Sequence, residues 1–173
     1  MRKKYFLLAF CFSLNICFAQ KDVFDIARNG TVEEAKELLK VDSESFNVKN
    51  GDGFSPLILA CYRGNNKVAN FLIENGSDIN DNSNMGTALM AAVVKGNSEI
   101  VKLLLDKKAN VNIADANGST ALIYAAMFKK YDIVGLLIKA NAHPDFKDNR
   151  GNSAVDYAIL ADDDKLIEIL KTK

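Results

Sequence analysis

The sequence predicts an all-α repeat solenoid, and the main observation is internal repetition. Four short stretches with a similar pattern recur along the chain: GFSPLILAC at 53–61, GTALMAAV at 86–93, GSTALIYAA at 118–126 and GNSAVDYAI at 151–159. Aligned on Leu57, Leu89, Leu122 and Val155, they are spaced by 32, 33 and 33 residues. Self-similarity at a fixed period near 33 is typical of stacked helical repeats, which pack only against their neighbours.

Within each unit, two short stretches show the spacing of an amphipathic helix. Small residues keep a constant register three positions after the aligned residue: Ala60, Ala92, Ala125 and Ala158. A second apolar stripe follows them, as at Ile100, Val101, Leu104 and Leu105. Each stretch is too short to be stable as an isolated helix. Neighbouring units must therefore supply the packing.

Turn and capping residues mark the ends of these helices. A hydroxyl residue that can accept an unpaired backbone N–H precedes each first helix: Ser55, Thr87, Thr120 and Ser153. Pro56 follows Ser55 at the first helical position, where a missing N–H costs nothing. Gly64 and Gly96 separate the two helices of their units. Lys129 and Asp162 stand at the corresponding later positions, where we expect distorted turns.

The first 19 residues have the layout of a secretory signal peptide. Basic residues at 2–4 precede an apolar stretch from Tyr5 to Phe18, and Cys17 and Ala19 are small residues suited to cleavage before Gln20. This stretch is shorter than the roughly 20 residues that span a bilayer. We therefore expect residues 1–19 to be removed and residues 20–173 to be exported without a membrane anchor. The periplasm is the first expectation and secretion the alternative.

Charge and cysteine content restrict the function of the remaining chain. The signal segment contains three basic residues and no acidic one, so residues 20–173 carry 19 basic side chains against 22 acidic ones. A mildly acidic chain without a basic tract argues against nucleic-acid binding, which needs clustered Lys and Arg. Cys61 is the one cysteine of this part, so no internal disulfide can form and packing must stabilise the domain.

The repeats resemble the ankyrin-repeat family. The units GTALMAAVVKGNSEIVKLLLDKKANVN and GSTALIYAAMFKKYDIVGLLIKANAHPD match its pattern of helix, turn, helix and extended finger, and FDIARNGTVEEAKELLK resembles a truncated first repeat. The resemblance implies one domain over 20–173 with about five stacked units: 22–50, 51–83, 84–115, 116–148 and 149–173. The family's histidine after the aligned leucine is replaced here by Ile58, Met90, Ile123 and Asp156. We therefore expect the fingers to be held less tightly.

Candidate catalytic and metal sites fail on composition and spacing. His143 is the only histidine, and we expect it on an exposed connection. Cys61 shares its position with Val93, Ala126 and Ile159, which predicts a buried, inert thiol. A calcium loop starting at Asp81 would require a Glu where Ala92 stands, and 162–164 is interpreted as a solvated turn. The prediction is a protein with no enzymatic activity, no cofactor and no metal.

The ankyrin resemblance implies a concave face, formed by the fingers and the outward edge of the first helices, that binds another protein. Carried over by position, its finger residues are Asp52, Phe54, Asn84, Asn117, Ser119, Asn149, Arg150 and Asn152. Its helix-edge residues are Tyr62, Arg63, Val94, Lys95, Met127, Phe128, Leu160 and Ala161. Exposed apolar residues in such a row indicate an interaction site. The alternative is that they fold onto neighbouring repeats and extend the core.

We therefore expect a non-enzymatic protein-binding module from a bacterium. Family analogy suggests an accessory factor for an exported enzyme such as catalase, or an inhibitor of a toxic enzyme. The alternative is a structural, self-assembling module whose terminal units stack on another copy. Lys165, Glu168 and Lys171 can give the last helix a polar outer stripe, which favours a capped monomer.

Overall fold

The computed structural model describes residues 22–42 and 44–171, and this part of the chain is mostly helical. The expected signal peptide, residues 1–19, lies outside the described residues. The elements are α1 (Val23–Asn29), α2 (Val32–Val41), α3 (Pro56–Arg63), α4 (Asn66–Glu74), β1 (Asn82–Ser83), β2 (Gly86–Thr87), α5 (Ala88–Lys95), α6 (Ser98–Asp106), α7 (Ala121–Met127), α8 (Tyr131–Lys139), α9 (Ala154–Leu160) and α10 (Asp164–Lys171). Within the described ranges, no helix has the length and apolar character needed to cross a membrane.

The helices form two layers that run along the stack. In the first layer, α3 packs between α1 and α5, and α7 packs between α5 and α9. In the second layer, α4 packs between α2 and α6, and α8 between α6 and α10. The two helices of each unit also pack against each other. This architecture confirms the predicted all-α repeat solenoid.

The core lies between the two layers and repeats with the sequence. The four aligned alanines of the first helices are completely buried: Ala60, Ala92, Ala125 and Ala158. The matching leucines of the second helices are at most 3% exposed: Leu72, Leu104, Leu137 and Leu170. Alanine lets neighbouring first helices approach closely, and leucine fills the space between the layers. One pattern therefore builds one continuous core.

The predicted helix caps are present in three of the four first helices. Thr87, Thr120 and Ser153 each accept a hydrogen bond from the backbone N–H three residues on. The prediction for Ser55 is wrong, because its buried hydroxyl oxygen makes no hydrogen bond with the described residues. The helix begins at Pro56, whose ring fixes φ and which has no N–H to satisfy. The first turn of α3 therefore has one unpaired N–H fewer than those of the other first helices.

The turns between paired helices keep one backbone shape. Gly64 and Gly96 adopt left-handed φ values of 73° and 69°. Lys129 and Asp162 adopt φ values of 51° and 50°, so the expected distortion is wrong. A left-handed residue with a Cβ costs roughly 1–2 kcal/mol relative to its right-handed form. The packing of the following helix on its neighbours fixes the turn in spite of this cost.

Lys108, after α6, is also left-handed with φ 65°. We expect Lys108→Gly to raise the free energy of unfolding by about 0.5 kcal/mol, because relief of backbone strain exceeds the added entropy of the unfolded chain. Lys107, with φ −84°, is the matched control. Lys107→Gly should lower the free energy of unfolding by about 0.5–1 kcal/mol. Urea denaturation of both variants measures this, and destabilisation by both would contradict the strain argument.

Candidate partner-binding face

The residues assigned to the fingers differ in exposure. Asp52, Asn84, Asn117, Asn149 and Arg150 are exposed at the finger tips, and Phe54 and Asn152 are half-buried. Ser119 departs from the expectation, because it is only 5% exposed. Its backbone N–H donates to the Asp115 carboxylate at 2.9 Å, which turns the residue into the finger. Its side chain therefore offers almost no surface to a partner.

The second row, on the outward edge of the first helices, is exposed and largely apolar. Tyr62 is 45%, Met127 39%, Phe128 47% and Leu160 72% exposed. Arg63, Lys95 and Ala161 are exposed, and Val94 is half-buried. These side chains do not fold away onto neighbouring repeats, so they leave apolar surface open to solvent.

Part of this surface forms a groove between the fingers and the edges of α3, α5 and α7. The groove has a volume of about 430 Å³, and Phe54, Tyr62, Met85, Val94 and Phe128 form much of its apolar wall. Arg63 and Asn117 also line it. The other residues of the predicted face lie outside the groove: Asp52, Asn84, Lys95, Ser119, Met127, Asn149, Arg150, Asn152, Leu160 and Ala161. The structure thus brings together six of the predicted residues.

Aromatic contacts fix the groove walls before any partner binds. The rings of Tyr124 and Phe128 stack nearly in parallel, with centroids 6.2 Å apart. Lys95 Nζ lies 4.5 Å from the centroid of the Tyr62 ring, a distance that suits a cation–π interaction. Each contact involves one aromatic ring of the exposed helix edge, Phe128 or Tyr62, and favours one orientation of that ring.

Eight residues that line the groove were not predicted from the sequence: Arg28, Ile58, Leu59, Met85, Met90, Ala91, Asp115 and Tyr124. Met85 is 68% exposed because the finger before α5 is one residue shorter than the finger before α7 and closes as the β1–β2 hairpin. Gly86 in this hairpin has φ 97°, and a Cβ there would lie 2.1 Å from the sulfur of Met90. The shortened finger was visible in the alignment, where 32 replaces 33. This shorter spacing was the feature of the sequence that could have predicted a different turn before α5.

The fingers are held by carboxylates and tyrosines, contrary to the expectation of loose fingers. Asp115 Oδ1 accepts from the backbone N–H groups of Asn117 and Ser119, and Asp115 Oδ2 accepts from the Tyr124 hydroxyl at 2.6 Å. Asp148 repeats this arrangement, with the Tyr157 hydroxyl donating at 2.7 Å. These bonds tie two fingers to their first helices without the missing histidine.

The same contacts shift the pKa values of Asp148, Tyr157 and Tyr124. The hydrogen bond from Tyr157 holds the pKa of the Asp148 carboxyl below its ordinary value and raises the pKa of the Tyr157 hydroxyl. Burial and the bond to Asp115 raise the pKa of Tyr124. The Asp148 carboxyl is therefore ionised and the two tyrosine hydroxyls are protonated at neutral pH, which is the arrangement that supports the Tyr157–Asp148 bond.

The other candidate residues are placed away from the groove. His143 is exposed, and its backbone N–H donates to Asn112 Oδ1. Cys61 is fully buried, and burial raises the pKa of its thiol to about 12, so the thiol stays protonated. Asp163 caps α10 by accepting from the Leu166 N–H. Within the described ranges, no three acidic, His or Cys side chains are grouped as metal ligands.

A stack of helix pairs with an open groove on one face defines a helical repeat protein. The family model of ankyrin repeats, three copies long, matches residues 23–115 and 89–173. The chain belongs to the ankyrin-repeat family. Ankyrin repeats generally mediate protein–protein interaction and are generally non-enzymatic modules.

Similar curated proteins share part of this chain. Ankyrin repeat and SAM domain-containing protein 6 of Rattus norvegicus is 38% identical over 99 residues, covering 56% of this chain and 11% of that protein. E3 ubiquitin-protein ligase XBAT33 of Arabidopsis thaliana is 40% identical over 91 residues, covering 51% of this chain and 18% of the ligase. BCL-6 corepressor-like protein 1 of Homo sapiens is 35% identical over 93 residues, covering 53% of this chain and 5% of that protein. The chain thus matches less than a fifth of each of these eukaryotic relatives.

The finger bonds predict a pH-dependent stability. We expect Tyr157→Phe to lower the free energy of unfolding by about 1 kcal/mol at pH 7, because one hydrogen bond to a carboxylate is lost. The pKa of Asp148 is lowered in the folded state, so this contribution is present above the unfolded pKa of about 3.9 and is lost as pH falls through the folded value. The difference from the native chain should therefore shrink as the pH falls below that unfolded value.

Urea unfolding at pH 7, 4 and 2.5 measures this difference. Tyr62→Phe is the matched control, because the Tyr62 hydroxyl makes no hydrogen bond with the described residues. That variant should stay within about 0.5 kcal/mol of the native chain at each pH. An equal loss at all three pH values for Tyr157→Phe would contradict the assignment.

Proposed function

We propose that this chain is a non-enzymatic module that binds another protein through its concave face. The observation that carries the proposal is the groove, whose apolar wall is open to solvent at Tyr62, Met85 and Phe128. Single exposed apolar residues are common on soluble proteins, whereas a contiguous row that lines one groove is typical of an interaction site. Aromatic residues and Arg63 supply the residue types that often dominate binding energy.

Rigidity supports the same function. The fingers are tied to their first helices by Asp115 and Asp148, and the groove rings are fixed by Phe128 and Lys95. A surface that is ordered before binding loses little conformational freedom when a partner docks. The binding energy of the groove is therefore available for affinity and selectivity.

We place this module outside the cytoplasm, as an accessory factor or inhibitor of an exported bacterial enzyme. The basic, apolar and small-residue order of residues 1–19 supports export. The curated relatives are eukaryotic, so they supply no support for a bacterial source. The role as accessory factor or inhibitor rests on family analogy.

Export predicts a defined N-terminus for the mature protein. When the full chain is expressed with its native leader, the exported fraction should begin at Gln20. Mass spectrometry of the intact protein and of its N-terminal peptide measures this. Substitution of Ala19 by a bulky residue, Ala19→Trp, should leave the leader attached, and Asp22→Asn serves as the control that keeps the cleavage motif. An uncleaved native chain would contradict the proposed export.

A self-assembling module is the second candidate, and one observation favours it. Cys61, Val93 and Ala126 are at most 3% exposed, because the next unit covers each of them. At the same position of α9, Ile159 is 58% exposed, since no described unit follows it. The neighbouring Leu160 is 72% exposed. This end of the stack thus offers apolar surface that another copy could cover.

Capture separates the two candidates and tests the concave face. The tagged chain, crosslinked in its native exported compartment, should co-purify with a dominant partner, and Tyr62→Asp with Phe128→Asp should abolish that capture. The double variant should keep its thermal midpoint within about 5 °C, since both side chains are exposed. Val41→Asp with Phe146→Asp is the matched control, because those apolar residues are also exposed but lie outside the groove.

The results of the capture experiment distinguish the two candidate functions. Loss of the partner in the groove variant but not in the control supports the concave face. Recovery of this chain alone supports self-assembly. A collapse of the thermal midpoint would show that Tyr62 and Phe128 belong to the core, and the proposed face would be wrong.

A further inference from the structure

The edge of the groove at the helix–helix turns is positively charged. Arg28 and Arg63 line the groove there, and Lys95 lies over the ring of Tyr62 at the same edge. They come from α1, α3 and α5, so one cation stands on each of three successive first helices. The apolar wall formed by Tyr62 and Val94 runs beside this row.

Of the three cations at this edge, only Arg28 is paired with an acidic side chain among the described residues. Among the described residues that line the groove, Asp115 alone is acidic, and both of its oxygens accept hydrogen bonds from its own finger and from Tyr124. Arg28 pairs with Asp25 at 3.1 Å. Within the described ranges, neither Arg63 nor Lys95 forms an ion pair. Residues 20–173 are net acidic, so the positive edge is a local feature and not a property of the whole surface.

The repeat spacing sets the length of an occupant. Neighbouring packed helices lie about 8–10 Å apart, so α3, α5 and α7 span about 20 Å along the groove. An extended peptide rises about 3.3 Å per residue. About six residues therefore cover the groove, and about three residues separate one unit from the next.

We propose that the groove binds an extended segment of the partner in which large apolar residues are interspersed with Asp or Glu, one carboxylate about every three residues. The apolar side chains pack between Tyr62 and Phe128, and the carboxylates meet Arg63 and Lys95. The planar guanidinium of Arg63 matches a carboxylate in a bidentate geometry. This inference rests on the proposed function and adds the chemistry of the partner to it.

Peptide binding tests this chemistry directly. Three fluorescent pools of 12-residue peptides share random large apolar residues at eight positions, and every third position is fixed as Asp or Glu, as Ser or Gln, or as Lys or Arg. Fluorescence anisotropy with the purified full chain measures the affinity of each pool. We expect the acidic pool to bind roughly tenfold more tightly than the neutral pool at 50 mM NaCl. The advantage should largely disappear at 500 mM NaCl, because salt screens exposed charges.

Charge reversal locates the effect. Arg63→Glu with Lys95→Glu should make the basic pool bind more tightly than the acidic pool. Lys102→Glu with Lys139→Glu is the matched control, because both lysines are exposed on second helices and lie outside the groove. That control should retain the native preference for the acidic pool.

Three results would overturn the inference: no binding by the acidic pool, equal binding by all three pools, or an unchanged preference in the Arg63 and Lys95 variant. These results are distinct from failure of the proposed function. If the captured partner is lost with Tyr62→Asp and Phe128→Asp but binds normally after charge reversal, the concave face stands and the acidic segment is wrong. If neither pair of substitutions affects the partner, both proposals are wrong.

Discussion

The stacking of each helix between its neighbours is the constraint on which the rest of the structure depends. The described α-helices have only seven to ten residues, a length at which an isolated helix is marginal in water. Buried alanines such as Ala92 and Ala125 allow the first helices to approach closely. In such a stack, each unit is stabilised by its interfaces with the units on either side. The fingers and the groove keep their positions only because these interfaces hold.

Polar contacts then fix the fingers against the helices of the stack. Asp115 and Asp148 each satisfy two backbone N–H groups of a finger and one tyrosine hydroxyl of the following helix. A carboxylate with three donors is a strong local tie, because charge-assisted hydrogen bonds are stronger than neutral ones. At Asp115, the finger tip is thereby attached to α7, whose outer edge forms part of the groove wall. The position of this finger tip relative to the groove wall is therefore fixed.

The fold could be predicted from the sequence because the same pattern of core residues recurs in several repeats, and each repeat supports the interpretation of the others. Local chemistry that is not repeated was harder to predict. Ser55 has the same residue type and the same extended backbone as Ser153 but makes no cap, and Pro56 follows it where Ala154 follows Ser153. The bond between Asp115 and Tyr124 does recur one repeat later, between Asp148 and Tyr157, but it joins residues nine apart on different elements, so helical spacing alone does not signal it. For the groove, the sequence predicted which helix edge is apolar, whereas the position of Met85 depends on the geometry of a shorter finger.

The exposed Ile159 shows that α9 has the residue type of an internal unit at a position that no described unit covers. A duplicated unit added beyond α10 would find that apolar side chain already in place, so the new interface would require little change on the existing side. Growth by whole units would also lengthen the groove by one helix edge and one finger at a time. Gene duplication could therefore adjust the reach of the binding surface in steps of about 33 residues, while the existing core keeps its packing.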